Sequence, residues 1–138
     1  MTTTEAYVLD ASAAAKRVAG VEEPSVEALN AWWNDRLEHG ADFLAPHLLR
    51  YELGHLLARK AREDARLTPA LREEMLRQVL LGVRFADGSG TENHAPPLTY
   101  YDASYLALAR ATKATLVTYD DVLTKEAKNA RLKVFAPS

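Results

Sequence analysis

The length and composition of the chain favour one domain with an ordinary hydrophobic core. Its 138 residues are 48% hydrophobic and 26% charged, with a formal net charge of −2, so we predict a single domain over residues 1–138 that needs no disulfide or structural zinc. The absence of cysteine excludes thiolate catalysis and zinc fingers, and it favours a reducing, cytoplasmic compartment. No apolar run approaches the roughly 20 residues that span a bilayer, so we expect neither secretion nor membrane insertion. The slightly negative charge argues only against nucleic-acid binding by global basicity.

The hydrophobic pattern predicts strands that alternate with helices along the chain. Short apolar runs predict strands, and apolar residues at helical spacing predict helices. The predicted strands are residues 6–9, 43–45, 83–86, 115–118 and 132–135. The predicted helices cover residues 11–19, 24–40, 48–66, 69–80, 101–111 and 121–129, and residues 87–98 read as an exposed loop. This order favours an α/β protein with three layers, α/β/α, and a mainly parallel sheet of about five strands.

Two aspartates stand at the ends of predicted strands. Asp10 closes the run YVLD, and Asp120 closes the run TLVTYD. In an open parallel sheet, ligands bind beyond the carboxyl ends of the strands, so both acids lie where a site is expected. Each could instead cap the helix that follows it, because aspartate is a good N-cap residue.

Two more acids lie on the apolar stripes of predicted helices. Glu52 shares its stripe with leucines at positions 49, 53 and 56, where an unpaired carboxylate would be costly to bury. A metal ion would satisfy it, and a buried ion pair with an arginine such as Arg50 is the structural alternative. Asp102 lies on the stripe of Tyr105, near the start of its helix; it could cap that helix, although Thr99 could do so instead.

Together, the four acids predict a site for a hard divalent cation. Carboxylate oxygens suit Mg²⁺ or Mn²⁺, which keep several waters and bind substrate phosphates. Hydrolysis of a phosphodiester uses such an ion to lower the pKa of a bound water, and it needs no serine, cysteine or histidine nucleophile. The catalytic and metal-binding candidates are Asp10, Glu52, Asp102 and Asp120.

Four sequence motifs occur in an order that resembles a known family. VLDAS, RYELGHLL, YYDASYLALA and TLVTYDDVL are similar to the motif set of PIN-domain ribonucleases, and above all to VapC-type toxins of bacterial toxin–antitoxin pairs. The resemblance runs from about residue 6 to the end. One stretch departs from it: the family usually has a further helix before the helix of the third acid, where this chain has the short segment 87–98.

The resemblance implies a magnesium-dependent endoribonuclease with a five-stranded parallel sheet, often a homodimer, that a cognate VapB-type antitoxin inhibits. The four candidate acids match the four family acids in order. Ser12 and Thr118 match hydroxyls that often orient such a site, and Asp121 is an alternative to Asp120. Two other readings stay open: a PIN-like nuclease of RNA processing that has no antitoxin, and a catalytically silent domain that binds RNA or protein.

Basic and aromatic residues provide further candidates for contacts. Lys16 and Arg17 follow the first acid and could contact the RNA backbone, whereas the basic residues from Arg59 to Arg66 are typical of a solvated helix face. Trp32 and Trp33 are adjacent on a predicted helix, so only one of them can lie fully in the core. The other could pack at the edge of the core or contact a partner.

Overall fold

The computed structural model describes residues 5–18, 24–90 and 98–138, which form a parallel sheet covered by helices. The strands are β1 (Ala6–Leu9), β2 (Asp42–Ala45), β3 (Val83–Phe85), β4 (Thr115–Val117) and β5 (Val134–Phe135). The helices are α1 (Ala11–Val18), α2 (Pro24–Glu38), α3 (Leu48–Ala61), α4 (Pro69–Val79), α5 (Tyr100–Thr112) and α6 (Asp121–Asn129). This arrangement confirms the predicted α/β fold with a five-stranded parallel sheet.

The strand order explains where a site can form. The sheet runs β3-β2-β1-β4-β5, and every pair is parallel. Chain order therefore reverses between β1 and β4, which is the position where open α/β sheets bind ligands. Leu9 pairs with Val117 there, so the residues that follow these two strands leave the sheet side by side.

Side chains alternate between the two faces of the sheet, and each face builds its own core. Val8, Leu44 and Leu116 belong to the larger cluster, which also contains leucines of α3 and α5. Leu9, Phe43 and Val117 belong to the smaller cluster, which α2 covers. Helices therefore flank both faces, as a three-layer fold requires.

Only one of the two adjacent tryptophans lies fully in the core, as predicted. Trp33 is fully buried and stacks on Phe43 with ring centroids 5.3 Å apart. Trp32 is only partly buried and packs edge-on against Tyr7, with centroids 4.9 Å apart. Arg17 lies over the Trp33 ring, 4.3 Å from its centroid, which ties α1 to α2.

The element boundaries differ slightly from the predicted ones. The third, fourth and fifth strands are shorter than predicted, yet hydrogen bonds continue past two of them: the N–H of Ala86 donates to the Ala45 carbonyl and that of Thr118 to the Phe135 carbonyl. Strand ends lose regular pairing before they lose every ladder bond. Predictions for residue 19 and for residues 91–97, His94 among them, lie outside the described residues. No helix in the described part of the chain has the length and hydrophobicity to cross a membrane.

Candidate active site

The four candidate acids gather around the carboxyl edge of the sheet. Asp10 and Asp120 follow β1 and β4, while Glu52 and Asp102 lie in the opening turns of α3 and α5. Their charges act on one another: Asp120 raises the pKa of Asp10, and Asp102 and Asp10 both raise the pKa of Glu52. Residues distant in sequence therefore share one electrostatic environment.

Asp10 is the most enclosed of these acids, with only 4% of its surface exposed. Its Oδ1 atom accepts hydrogen bonds from Ser12 Oγ at 2.7 Å and from the N–H of Ala13 at 2.9 Å. Its Oδ2 atom accepts a short hydrogen bond from Thr118 Oγ1. Burial raises the pKa of Asp10, and these hydrogen bonds oppose that rise because they favour the charged form. The carboxylate is held in one orientation while it also caps α1.

The hydroxyls of Ser12 and Thr118 connect the ends of β1 and β4. Ser12 Oγ accepts the N–H of Tyr119 at 2.9 Å, and Thr118 Oγ1 accepts the N–H of Asp120 at 3.0 Å. Each hydroxyl thus bonds both to Asp10 and to the backbone that follows β4. Asp121 is the exposed first residue of α6.

Glu52 is hydrogen-bonded to a tyrosine and is not paired with Arg50, the structural alternative to a metal ion. It is half-buried on α3, and its Oε1 atom accepts a hydrogen bond from Tyr105 Oη at 2.6 Å. Burial raises the pKa of Glu52, and the tyrosine hydroxyl opposes this rise. Arg50 is exposed, and Glu52 forms no ion pair within the described residues, so the predicted structural alternative is absent there.

Tyr105 is a site residue that the sequence analysis missed. It is almost completely buried on α5, one turn beyond Asp102, and burial together with Glu52 raises the pKa of its hydroxyl. The hydroxyl is therefore protonated at neutral pH and acts only as a donor toward Glu52. The sequence did contain a signal for this role. Tyr105 lies on the apolar stripe three residues after Asp102, and a buried tyrosine hydroxyl needs a hydrogen-bond partner.

Of the two remaining acids, Asp120 caps a helix and Asp102 does not. Thr99 caps α5, since its Oγ1 accepts the N–H of Asp102 at 3.0 Å, and the Asp102 carboxylate is left without a capping role. Asp120 does cap α6, because its Oδ1 accepts the N–H of Leu123 at 2.8 Å. The charge of Asp120 nevertheless acts on Asp10.

The four carboxylates are chemically suited to a hard cation, but they do not surround a common point closely enough to form a complete metal site. Within residues 5–18, 24–90 and 98–138, no three His, Asp or Glu side chains converge closely enough to hold an ion together. Over the same residues, none of the four acids is in an ion pair with lysine or arginine, so their mutual repulsion has no protein cation to offset it. Oxygen ligands of this kind suit Mg²⁺, which retains several waters and binds through one or two carboxylates.

The two predicted RNA-contacting cations pack beside the site and against α2. Lys16 Nζ lies 3.3 Å from Ser25 Oγ and 4.6 Å from the centroid of the Tyr119 ring. Arg17 is partly buried, which lowers the pKa of its guanidinium, and it lies 3.5 Å from Asn34 Oδ1. Of the two, Lys16 is nearer to the residues that follow β4.

A cavity of about 350 Å³ opens beside Glu52, between α1 and α3. Its floor is apolar, and a histidine and an arginine line it together with the carboxylate. The lining residues are Ala11, Ser12, Ala15, Glu52, Leu53, His55, Leu56 and Arg59. Arg59, expected to be a solvated surface residue, therefore lies along a cleft that leads to the acids.

Replacing Tyr105 with phenylalanine should move the pH dependence of activity upward. The variant loses the hydrogen bond that lowers the pKa of Glu52, so Glu52 holds its proton to a higher pH. Any activity that needs the Glu52 carboxylate should then fall by about 3- to 10-fold on the acidic side of the profile, a typical effect of losing an orienting partner. Tyr101, which is 62% exposed, provides the control substitution Tyr101→Phe. Identical pH profiles for both variants would contradict this role of Tyr105.

The structure is a parallel α/β fold with acids near the carboxyl edge of its sheet, where open sheets of this kind bind ligands. The model of the PIN domain family matches residues 7–129, and the chain belongs to this family. PIN domains are generally nucleases. No curated protein matches the chain.

Solved structures share this fold over most of the chain. PAE2754 from Pyrobaculum aerophilum is 26% identical, with a TM-score of 0.64, and the match covers 89% of this chain and 84% of that one. VapBC2 from Rickettsia felis, bound to a DNA fragment from its promoter, is 16% identical with a TM-score of 0.66 over 96% and 99% of the two chains. A domain from Methanocaldococcus jannaschii is 17% identical with a TM-score of 0.58 over 98% and 92%. At these low identities the last two matches establish the fold alone.

Proposed function

We propose that this chain is an endoribonuclease that depends on Mg²⁺, or on Mn²⁺ in its place, and that it is the toxin of a VapBC-type toxin–antitoxin pair. One observation carries the proposal: an enclosed aspartate, oriented by two hydroxyls, interacts electrostatically with Asp120 and Glu52, and Glu52 interacts in turn with Asp102. Within the described residues no lysine or arginine forms an ion pair with any of the four acids. Membership of the PIN domain family supports a nuclease.

The proposed mechanism assigns a role to each acid. Asp10, Glu52 and Asp102 would hold the cation directly or through waters, and Asp120 would complete the site with the oxygen that does not cap α6. A bound divalent cation supplies charge neutralisation at the phosphate and activation of a water molecule. The Ser12 and Thr118 hydroxyls keep Asp10 oriented, and Tyr105 orients Glu52 and favours its ionised form.

The substrate and the partners follow from the same proposal. The substrate is RNA, with Lys16 and Arg17 available near α1 for its backbone. The partners are a second copy of the chain and a VapB-type antitoxin, and a solved VapBC complex with the same fold supports this choice of partner. A neighbouring gene for a small DNA-binding protein would distinguish a toxin from a nuclease of RNA processing.

Cleavage of total RNA tests the nuclease directly. Wild type should cut RNA in Mg²⁺ and not in EDTA, and Asp102→Asn should lower the rate by about a hundredfold, because it removes a charged ligand from a metal whose contribution is several kcal/mol. Glu73→Gln makes the same kind of change on the exposed surface of α4 and should leave the rate unchanged. Mapping the cut ends then identifies the cleavage position.

Two results would reject the proposed nuclease. One is equal cleavage by wild type and Asp102→Asn, which would indicate a contaminating enzyme. The other is no cleavage together with no Mg²⁺ binding by calorimetry, which is the behaviour expected of a catalytically silent binding domain.

A further inference from the structure

Two cavities lie at the amino edge of the sheet, where the strands begin, opposite the four acids. Their volumes are about 600 and 650 Å³. Both are lined by Glu5, Tyr7, Thr115 and Lys133, so the two cavities adjoin where β1 and β4 begin. We call the two adjoining cavities, with the residues of both linings, the amino-edge groove. The four-residue strand β1 separates it from the acids by about 13 Å.

One half of the amino-edge groove presents aromatic rings. Tyr7, Trp32 and Phe135 line it together. The rings of Trp32 and Phe135 are 5.2 Å apart between centroids, and Phe135 is 40% exposed on the edge strand β5. Phe135 presents an exposed ring and Trp32 a partly buried one. Accessible aromatic rings stack on nucleic-acid bases with little preference for sequence.

The other half presents cations. Arg110, Lys113, Arg131 and Lys133 line it, and within the described residues none of them forms an ion pair. The acid of the groove, Glu5, is already engaged, because its Oε2 atom is 2.9 Å from Arg36 and accepts a hydrogen bond from Tyr7. The groove therefore has a positive charge in a protein whose total charge is negative.

Two of these cations occupy backbone positions that favour glycine or asparagine. Lys113 follows α5 with a φ of 55°, and Arg131 follows α6 with a φ of 61°. Side chains other than glycine and asparagine are strained in this left-handed region. Glycine would end either helix without strain, whereas a cation is favoured after a helix by its last carbonyls. In this chain both cations also line the groove. Lys133, immediately before β5, adds charge at a position that ends no helix.

We propose that the amino-edge groove binds single-stranded RNA, with bases stacked on the rings of Phe135 and Trp32 and phosphates along the four cations. The choice of RNA rests on the proposed function, but binding here is separate from catalysis. Rings and unpaired cations side by side match a base and its phosphate, and two adjoining cavities suit a strand of several nucleotides. The groove would hold substrate on one edge of the sheet while the acids act at the other.

The test uses asparagine, because it removes charge and also tolerates a positive φ. Binding of a fluorescent single-stranded RNA of about 12 nucleotides is followed by anisotropy in EDTA, so that no cleavage intervenes. The variant Lys113→Asn/Arg131→Asn should raise Kd at least fivefold and reduce the slope of log Kd against log salt by about 1.4, the value for two lost phosphate contacts. Phe135→Ser should raise Kd without a change of slope.

The matched control removes two charges elsewhere. Lys125→Gln/Arg72→Gln makes the same change of net charge at residues that line neither half of the groove, and its Kd should stay within twofold of wild type. The groove proposal is overturned if the two double variants bind alike, if wild type does not bind the oligonucleotide, or if only a free mononucleotide binds. If wild type binds the RNA through the groove but does not cleave RNA in Mg²⁺, the proposed nuclease activity is rejected and the groove proposal stands.

Discussion

Replacing Asp10 with asparagine should abolish RNA cleavage without weakening the folded protein. Activity in Mg²⁺ should fall by about a hundredfold or more, because the ligand charge is lost. Asparagine keeps an oxygen for the N–H of Ala13 and an N–H for the Thr118 hydroxyl, so the hydrogen bonds around residue 10 can be retained. The free energy of unfolding at pH 7 without metal should be equal to that of wild type or higher, because a buried charge near Asp120 and Glu52 is gone.

The pH dependence of stability provides an independent measure of the same repulsion. The pKa values of Asp10 and Glu52 are raised in the folded protein, so the folded state binds their protons more tightly than the unfolded state. Their contribution to stability is therefore fully present below the unfolded pKa, about 4, and is lost as the pH rises through the folded pKa values. Without metal, wild type should lose more stability over this window than Asp10→Asn. Urea unfolding of both proteins at several pH values measures the difference, in which the groups that do not interact with Asp10 cancel.

Adding Mg²⁺ and a second variant, Asp10→Ala, distinguishes the effect of the Asp10 charge from its effect as a helix cap. At a Mg²⁺ concentration ten times its Kd, wild type should gain about 1.4 kcal/mol of stability, whereas Asp10→Asn should gain much less. Asp10→Ala removes the acceptor for Ala13 and Ser12 and should cost about 1–2 kcal/mol relative to wild type without metal. The difference should grow in Mg²⁺, because the variant also lacks the carboxylate ligand. If Asp10→Asn is as unstable as Asp10→Ala, and Mg²⁺ stabilises all three proteins equally, Asp10 is only a structural cap.

Replacing Gly88 with alanine should be among the most destabilising small changes in the chain. A Cβ atom at residue 88 would lie 2.6 Å from both the carbonyl carbon and the oxygen of Ala107, inside the body of α5. Backbone cannot rotate away as a side chain can, so α5 or the loop must move. We expect a loss of about 1–3 kcal/mol in the free energy of unfolding, the usual cost of overpacking.

The same substitution at Gly54 should have the opposite effect on stability. It lies inside α3, where a new Cβ would meet Leu76 Cδ1 at 3.9 Å, an ordinary contact. Alanine is a better helix former than glycine, so Gly54→Ala should gain up to about 1 kcal/mol. Urea unfolding of both variants tests the pair, and a stable Gly88→Ala protein would show that the loop after β3 is not pressed against α5.

Much of the fold and the positions of the acids could be predicted from local patterns. Apolar runs identified all five strands, and their alternation with helices implied a parallel sheet. An acid at the end of β1 and another at the end of β4 had to emerge at one edge, because parallel strands share a direction. Glu52 on an apolar stripe indicated a carboxylate that needed compensation, although its partner could not be read from the same stripe.

The partners of these acids depend on contacts between distant segments. Tyr105 and Glu52 are 53 positions apart, and α5 and α3 must both be in place before the hydroxyl can reach the carboxylate. Asp120 illustrates a second limit. One of its oxygens caps α6 while its charge also acts on Asp10, so capping and a place in the acid cluster are compatible.

The sequence by itself determined the strand and helix order, the parallel sheet and the edge at which four carboxylates gather, because periodicity and strand ends are local properties. Only the tertiary structure decided that Tyr105 holds Glu52, that Gly88 lies against α5, and that rings and cations from α2, α5, β5 and the turns beside them share one groove. Such contacts depend on how helices cross the sheet, and that is set by packing among residues far apart in the chain.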